Sequence, residues 1–304
     1  MNAINIIIAF LLPFTLTIIL TFFAIKISHR KKILDYPKTN SIHEKPIPML
    51  GGVVIFCVFF ASAVVLKLGM ELFPLFIASL PIIISGIYDD IKGIRAPQKL
   101  LVQLLSSLIL VYLGVVITKI TVPFGPIVEL GVFSVPATIF WFILMTNLIN
   151  IIDGLDGLAA GLSFIILLVL MSFMWPSTAG MQLLILLGST LAFLIFNFHP
   201  ARIFLGNNGS TFLGFAIAYF ALMTSQKSTI VPILVLPCII LLVHVVDIIY
   251  AIARRTRERV SIFRGDKRHI HHVMLNMIGN HRITVFVFYL ISLSLSIAII
   301  RLTR

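Results

Sequence analysis

Acidic side chains are scarce in this chain, with eleven Asp and Glu in 304 residues and only 11% of all residues charged. A soluble domain of this length cannot be covered with so little charge. With 60% hydrophobic residues and a mean hydropathy of +1.12, the composition specifies a polytopic integral membrane protein. Cysteine is nearly absent too. Cys57 and Cys238 both fall inside apolar runs, which excludes a structural disulfide. The first segment, MNAINIIIAFLLPFTLTIILTFFAI, lacks a basic n-region and a small-residue cleavage site. It is expected to be the first transmembrane helix and not a removed leader. Internal repeats, low-complexity tracts and soluble domains are also missing, so residues 1–304 read as one transmembrane domain.

What is present is a series of long apolar runs, near 4–25, 49–66, 72–88, 100–118, 135–151, 157–175, 181–197, 210–224, 229–251 and 284–300. They predict an all-α fold of about ten transmembrane helices, with both termini on the same side. The loops 26–48, 89–99, 152–156, 198–209 and 252–283 hold 18 of the 23 Lys and Arg. The positive-inside rule makes those loops cytoplasmic and places both termini outside. Basic juxtamembrane loops attract anionic lipid headgroups, so the net charge of +12 requires no nucleic acid. The segment 119–134, with its PFGP turn, is expected to form a short hairpin carrying a solvated Glu129.

Most acids and all eight histidines gather on the cytoplasmic half. That face is expected to hold the site. Its centre is NLINIIDGLDGLAAG, Asn147 to Gly161, where Asn147, Asn150, Asp153 and Asp156 recur every third position into an apolar run. Such acids are costly at a membrane helix end unless they meet water, a metal or a partner. Asp89 and Asp90 directly follow another apolar run, and adjacent carboxylates there call for a cation between them. Mg²⁺, which takes carboxylate, water and phosphate oxygens, is the expected metal, with Mn²⁺ as the alternative.

Three further loops contribute. Gly51-Gly52 after Pro48 reads either as close helix packing or as a device holding Lys45 and His43 beside a phosphate. Gly206-Asn207-Asn208-Gly209-Ser210 precedes an apolar helix, a ready phosphate site, although Ser210 equally suits an ordinary N-cap. In the last loop Lys267 and Arg268 lead into His269, His271 and His272. Zinc is one reading of the imidazoles, and the surrounding cations favour an anion with several phosphate charges. Arg254 to Arg259 read as a basic amphipathic helix on the inner leaflet.

In order, IPMLGG (47–52), DDIKG (89–93), KLLVQ (99–103), TNLINIIDGLDGLAAG (146–161), FLGNNGSTFLG (204–214) and DKRHIHH (266–272) resemble the polyprenyl-phosphate N-acetylhexosamine-1-phosphate transferases. The His-x-His-His form is similar to the branch that uses UDP-GlcNAc. The resemblance implies a bacterial inner-membrane enzyme taking a UDP-N-acetylhexosamine and undecaprenyl phosphate, and it allows a homodimer. It implies catalytic roles for Asp89, Asp90, Asp153, Asp156 and His271. Substrate contacts would come from Lys45, Asn147, Asn150, Gly206, Gly209, Ser210, Lys267, Arg268, His269 and His272. The metal ligands would be Asp89, Asp90 and position 207.

At position 207 the family's usual Asp is Asn207, whose neutral carbonyl can ligate without contributing charge. A catalytically impaired paralogue that binds lipid-linked sugar is therefore an open alternative. An ion- or proton-coupled transporter is another, although it would place polar residues at helix midpoints and not at helix ends.

Overall fold

The computed structural model describes residues 3–37, 44–121, 127–227, 236–260 and 269–303. It is an all-α membrane protein. Helices α1 (Ala3–Lys31), α2 (Gly51–Val65), α3 (Phe73–Lys92), α4 (Ala96–Tyr112), α5 (Ser134–Ile152) and α6 (Leu158–Met174) form the first half. The second half comprises α7 (Thr178–Asn197), α8 (Gly206–Lys227), α9 (Leu236–Ile240), α10 (Leu242–Arg257), α11 (Ile270–Ile278) and α12 (His281–Thr303). Local signals set their ends. Arg95 N–H donates to Gln98 Oε1 at 2.9 Å, and Pro97 occupies the first turn of α4. Ser177 Oγ accepts from Gly180 N–H at 3.3 Å to start α7, and Gly93 and Gly279, both with positive φ, follow α3 and α11.

Length and composition qualify α1, α7, α12 and the helical segments 70–92 and 131–152 to cross a bilayer; α2, α4 and α6 are apolar but shorter. Nine of the ten expected runs each contain one helix. The expected run 229–251 is described from Leu236 on, where α9 and α10 meet at Leu241. Helix α10 runs on to Arg257, so the basic stretch begins on a helix, as its amphipathic reading requires. The expected hairpin is present: β3 (Lys119–Thr121) and β4 (Ile127–Glu129) pair antiparallel, and Glu129 is exposed. A second small pair joins β1 (Leu34–Asp35) to β2 (Ile47–Pro48).

Burial sorts the helices into a centre and a rim. The apolar window of α7 is 83% buried by protein, against 22% for α1. Helix α8 is enclosed along its described side chains by α2, α3, α5 and α6. Between helices in lipid there is little hydrophobic driving force, so close fit decides. Phe56, Phe59, Phe60, Phe76 and Phe212 interlock edge-on and stacked between α2, α3 and α8. Some buried hydroxyls bond back within their own helices, as in Ser79 to Leu75 O at 2.6 Å and Thr190 to Leu186 O at 2.8 Å. Trp141 Nε1 donates to Ala218 O at 3.1 Å and pins α5 to α8.

Candidate active site

The start of α8 is where four elements meet. A Cβ at Gly52 would fall on the Gly209 backbone, and a Cβ at Gly86 on the Asn208 backbone, so α2 and α3 approach α8 at near-backbone contact. Phe204 N–H donates to Pro48 O at 2.8 Å, while Gly51 and Gly52 N–H donate to Phe204 O and Leu205 O at 3.2 and 3.0 Å. Close packing at Gly51-Gly52, one of its two readings, is observed. Lys45 is exposed, and His43 lies outside the described residues, as do Lys267 and Arg268.

This junction brings Asp89 and Asp90 to position 207. Asp90 Oδ1 accepts from the backbone N–H and Nδ2 of Asn207, both at 2.9 Å. Its Oδ2 accepts from Asn208 N–H at 3.2 Å and Nδ2 at 2.5 Å. The amides expected to receive phosphate therefore serve a carboxylate from α3, which occupies the positive end of α8. The glycine-rich segment is itself the first turn of α8 and not a loop before it. Ser210 is consequently no N-cap: its Oγ donates to Gly206 O at 3.0 Å and accepts from Asn150 Nδ2 at 2.8 Å. Asp89 is equally engaged, accepting from Ile94 N–H at 2.8 Å through Oδ1 and pairing with Lys99 Nζ through Oδ2. Lys99 also donates to Asn207 Oδ1 at 3.4 Å, and Asn150 Nδ2 donates to the same oxygen at 3.0 Å. Asn147 faces elsewhere, in an amide pair with the buried Gln103 at 2.6 and 3.4 Å that ties α5 to α4.

Asp153, just past the end of α5, differs from both. Among the described residues its carboxylate makes no hydrogen bond. Burial first, then the charges of Asp90 and Asp156, push it up to about 8. A bare carboxylate beside other acids suits a divalent cation, which removes the penalty for ionising it. The residues therefore fit Mg²⁺, with Asp153 as the carboxylate that no hydrogen bond among the described residues engages.

Asp156 Oδ2 accepts from Ala201 N–H at 3.1 Å and meets His199 Nδ1 at 2.8 Å. His199 stacks on His281, with ring centroids 4.1 Å apart and planes 12° apart. The donor atoms of Asp156, His199 and His281 lie within 4.8 Å of one another. A metal must lie in the plane of each ligating imidazole, so the stacked rings cannot share one as they stand.

The histidine block joins the same pole. His271 is buried, and its ring occupies the space a side chain at position 154 would need, which fixes Gly154 as glycine. Burial, then His272, His244 and His269, push His271 down to about 3, so it is neutral. His269 Nδ1 lies 2.7 Å from Asp247 Oδ2. His272 stands 4.4 Å from His271, ring to ring. Between α3 and α4 runs an apolar groove of about 640 Å³, lined by Ile77, Leu80, Ile84, Tyr88 and Val102, with Ile94 and Gln98 at its wall. Lys99, His199 and Asp247 were not marked as site residues by sequence reasoning. Asp247 carried a signal, being an acid set one turn inside an apolar helix.

The family model described as glycosyl transferase family 4 matches residues 72–225. A probable undecaprenyl-phosphate N-acetylglucosaminyl 1-phosphate transferase of Bacillus subtilis (strain 168) is 37% identical over 98% of this chain and 85% of its own length. A decaprenyl-phosphate N-acetylglucosaminephosphotransferase of Mycobacterium tuberculosis is 31% identical, covering 90% of this chain and 77% of its own. A phospho-N-acetylmuramoyl-pentapeptide-transferase of Caldanaerobacter subterraneus subsp. tengcongensis is 32% identical over 95% and 96%.

Proposed function

The chain belongs to glycosyl transferase family 4, and on that premise we propose that it transfers N-acetylhexosamine 1-phosphate, GlcNAc 1-phosphate foremost, from a UDP-sugar to undecaprenyl phosphate. UMP is released, and the pyrophosphate-linked lipid starts a cell-envelope polysaccharide. The observation that carries this reading is the convergence of Asp89, Asp90, Lys99, Asn150, Asp153 and Asn207 at one pole. The basic loops support a site on the cytoplasmic face of the membrane.

In this reaction an oxygen of the lipid phosphate attacks the sugar-linked phosphorus. The bond from that phosphorus to the bridging oxygen of UMP breaks, and UMP leaves with the electron pair. A phosphate monoester loses its second proton near pH ~6, so neutralising charge matters more than a strong base. Lys99 faces the acceptor phosphate at the mouth of the α3–α4 groove, which takes the isoprenoid tail. Asp153, Asp90 and the Asn207 carbonyl would hold Mg²⁺, whose chemistry is neutralisation of the donor pyrophosphate. Asp156, fixed by His199 and Ala201, orients the nucleotide side. His269, His271 and His272, with Lys267 and Arg268, bind the pyrophosphate.

Purified protein given labelled UDP-GlcNAc and undecaprenyl phosphate should form a labelled lipid and stoichiometric UMP, and magnesium removal should stop both. One observation favours a second reading. Asn207 completes a hydrogen-bond network with Asp90, Lys99 and Asn150 that needs no metal. Binding of the UDP-sugar without any lipid product would make the protein an impaired paralogue.

A further inference from the structure

Asp247 is an acid on α10, within the apolar run 229–251, and its side chain is only 9% exposed. An ionisable residue at such depth is retained for a function, through a partner that can be named. Both of its oxygens are used on the histidine block. Oδ2 meets His269 Nδ1 at 2.7 Å, and Oδ1 accepts from Ile270 N–H at 3.0 Å. Ile270 is the first residue of α11, and His269 is its N-cap without a side-chain cap of its own. One carboxylate from α10 thus caps the helix that carries His271 and His272, and holds the ring that precedes it.

An ionised carboxylate only accepts hydrogen bonds, so the shared proton resides on His269 Nδ1 and Nε2 is left for chemistry. We propose that Asp247 is the positioning residue of the histidine block: it sets the tautomer of His269 and anchors the first turn of α11 against α10. The role assigned to His269 rests on the transferase reading; the geometry does not.

Asp247→Asn keeps the shape and an acceptor for Ile270 N–H. Its amide donates to Nδ1, which moves the imidazole proton to Nε2. We expect kcat to fall ~100-fold or more, by analogy with tautomer loss in a catalytic triad, while KM for the UDP-sugar changes less than ~3-fold. Asp247→Glu should recover at least ~10-fold of that loss, since the acid is restored with a longer reach. Asp247 acts through His269, so the double variant Asp247→Asn/His269→Ala should be no slower than His269→Ala alone.

Additive losses in that double variant would overturn the proposal, as would an Asn variant with unchanged kcat. Failure of both the Asn and Glu variants to fold would overturn it too, because the acid would then serve folding alone. Should the wild type transfer no sugar at all, the transferase reading falls. The ¹⁵N shifts of His269 would still report whether Asp247→Asn flips the tautomer.

Discussion

Two aspartate pairs sit at the same pole of the helix bundle, and the protein treats them in opposite ways. At Asp89 and Asp90 every carboxylate oxygen is engaged, by Lys99, Ile94, Asn207 and Asn208. At Asp153, among the described residues, none is, although Asp156 three residues on is tied to His199 and Ala201. A buried carboxylate surrounded by N–H donors holds elements together, because its charge is met before any ligand arrives. A buried carboxylate left bare costs folding free energy, and that cost is recovered when a ligand binds. The first pair therefore organises the site. In the proposed site, Asp153 is the part of the second pair held open for work.

The sharpest way to break this comparison is one substitution in each pair. Asp90→Asn places an amide donor against donors of Asn207 and Asn208. It should lower turnover ~1000-fold and stability by about 3 kcal/mol, the scale for losing a buried charge-assisted network. Asp153→Asn should also cost ~100-fold or more in turnover, as removal of one preorganised electrostatic contact does. Its melting temperature should stay level or rise, because among the described residues no hydrogen bond is lost and a buried acid that resists ionising is replaced by a neutral amide. Equal destabilisation of both variants in detergent would erase the distinction.

The next test sharpens the role of position 207. Asn207 gives its Nδ2 proton to Asp90 at 2.9 Å and receives Lys99 and Asn150 on its Oδ1. Asn207→Asp removes that donor and sets two carboxylates in contact, so a cation becomes the natural bridge. A magnesium titration should show the half-saturating concentration falling ~10-fold, while the metal-free variant melts below the wild type. Unchanged magnesium dependence would put position 207 away from the metal.

Much of the comparison was legible in the sequence, for reasons that can be traced. The apolar runs give the helices because lipid forces backbone groups to bond within each segment. Asp89, Asp90, Asp153 and Asp156 stand out because acids at the ends of such runs are expensive. Which of them would be engaged was not legible. The bond from Asp90 to Asn207 joins residues 117 apart, and Asn208 at 118 apart completes it. Nothing local in Gly206 to Ser210 tells that an α3 carboxylate takes the helix end in place of a phosphate. The joint at Leu241 was hidden for a similar reason, since α9 and α10 together match the composition of one span. Lys99 was visible in a motif, but its pairing depends on how α4 meets α3.

The last effect expected is a slope in stability with pH. Asp153 titrates near 8 in the folded protein, against an ordinary value of 3.8, because burial and then Asp90 and Asp156 oppose its ionisation. An acid raised in this way binds its proton more tightly folded than unfolded. Unfolding then releases a proton, so stability is greatest below the ordinary carboxylate range and is lost as pH rises toward 8. The loss is bounded by one proton, or about 1.4 kcal/mol per pH unit, which corresponds to ~3–5 °C per pH unit in a chain of this size. Measured by thermal melting in EDTA between pH 5 and ~8, the range set by that shift, the wild type should fall relative to Asp153→Asn. Magnesium should flatten the wild-type curve, since a bound cation ionises Asp153 without penalty. Parallel curves for the two proteins in EDTA would mean that Asp153 is ionised in the folded state, and that it is not the bare carboxylate on which the contrast with Asp90 depends.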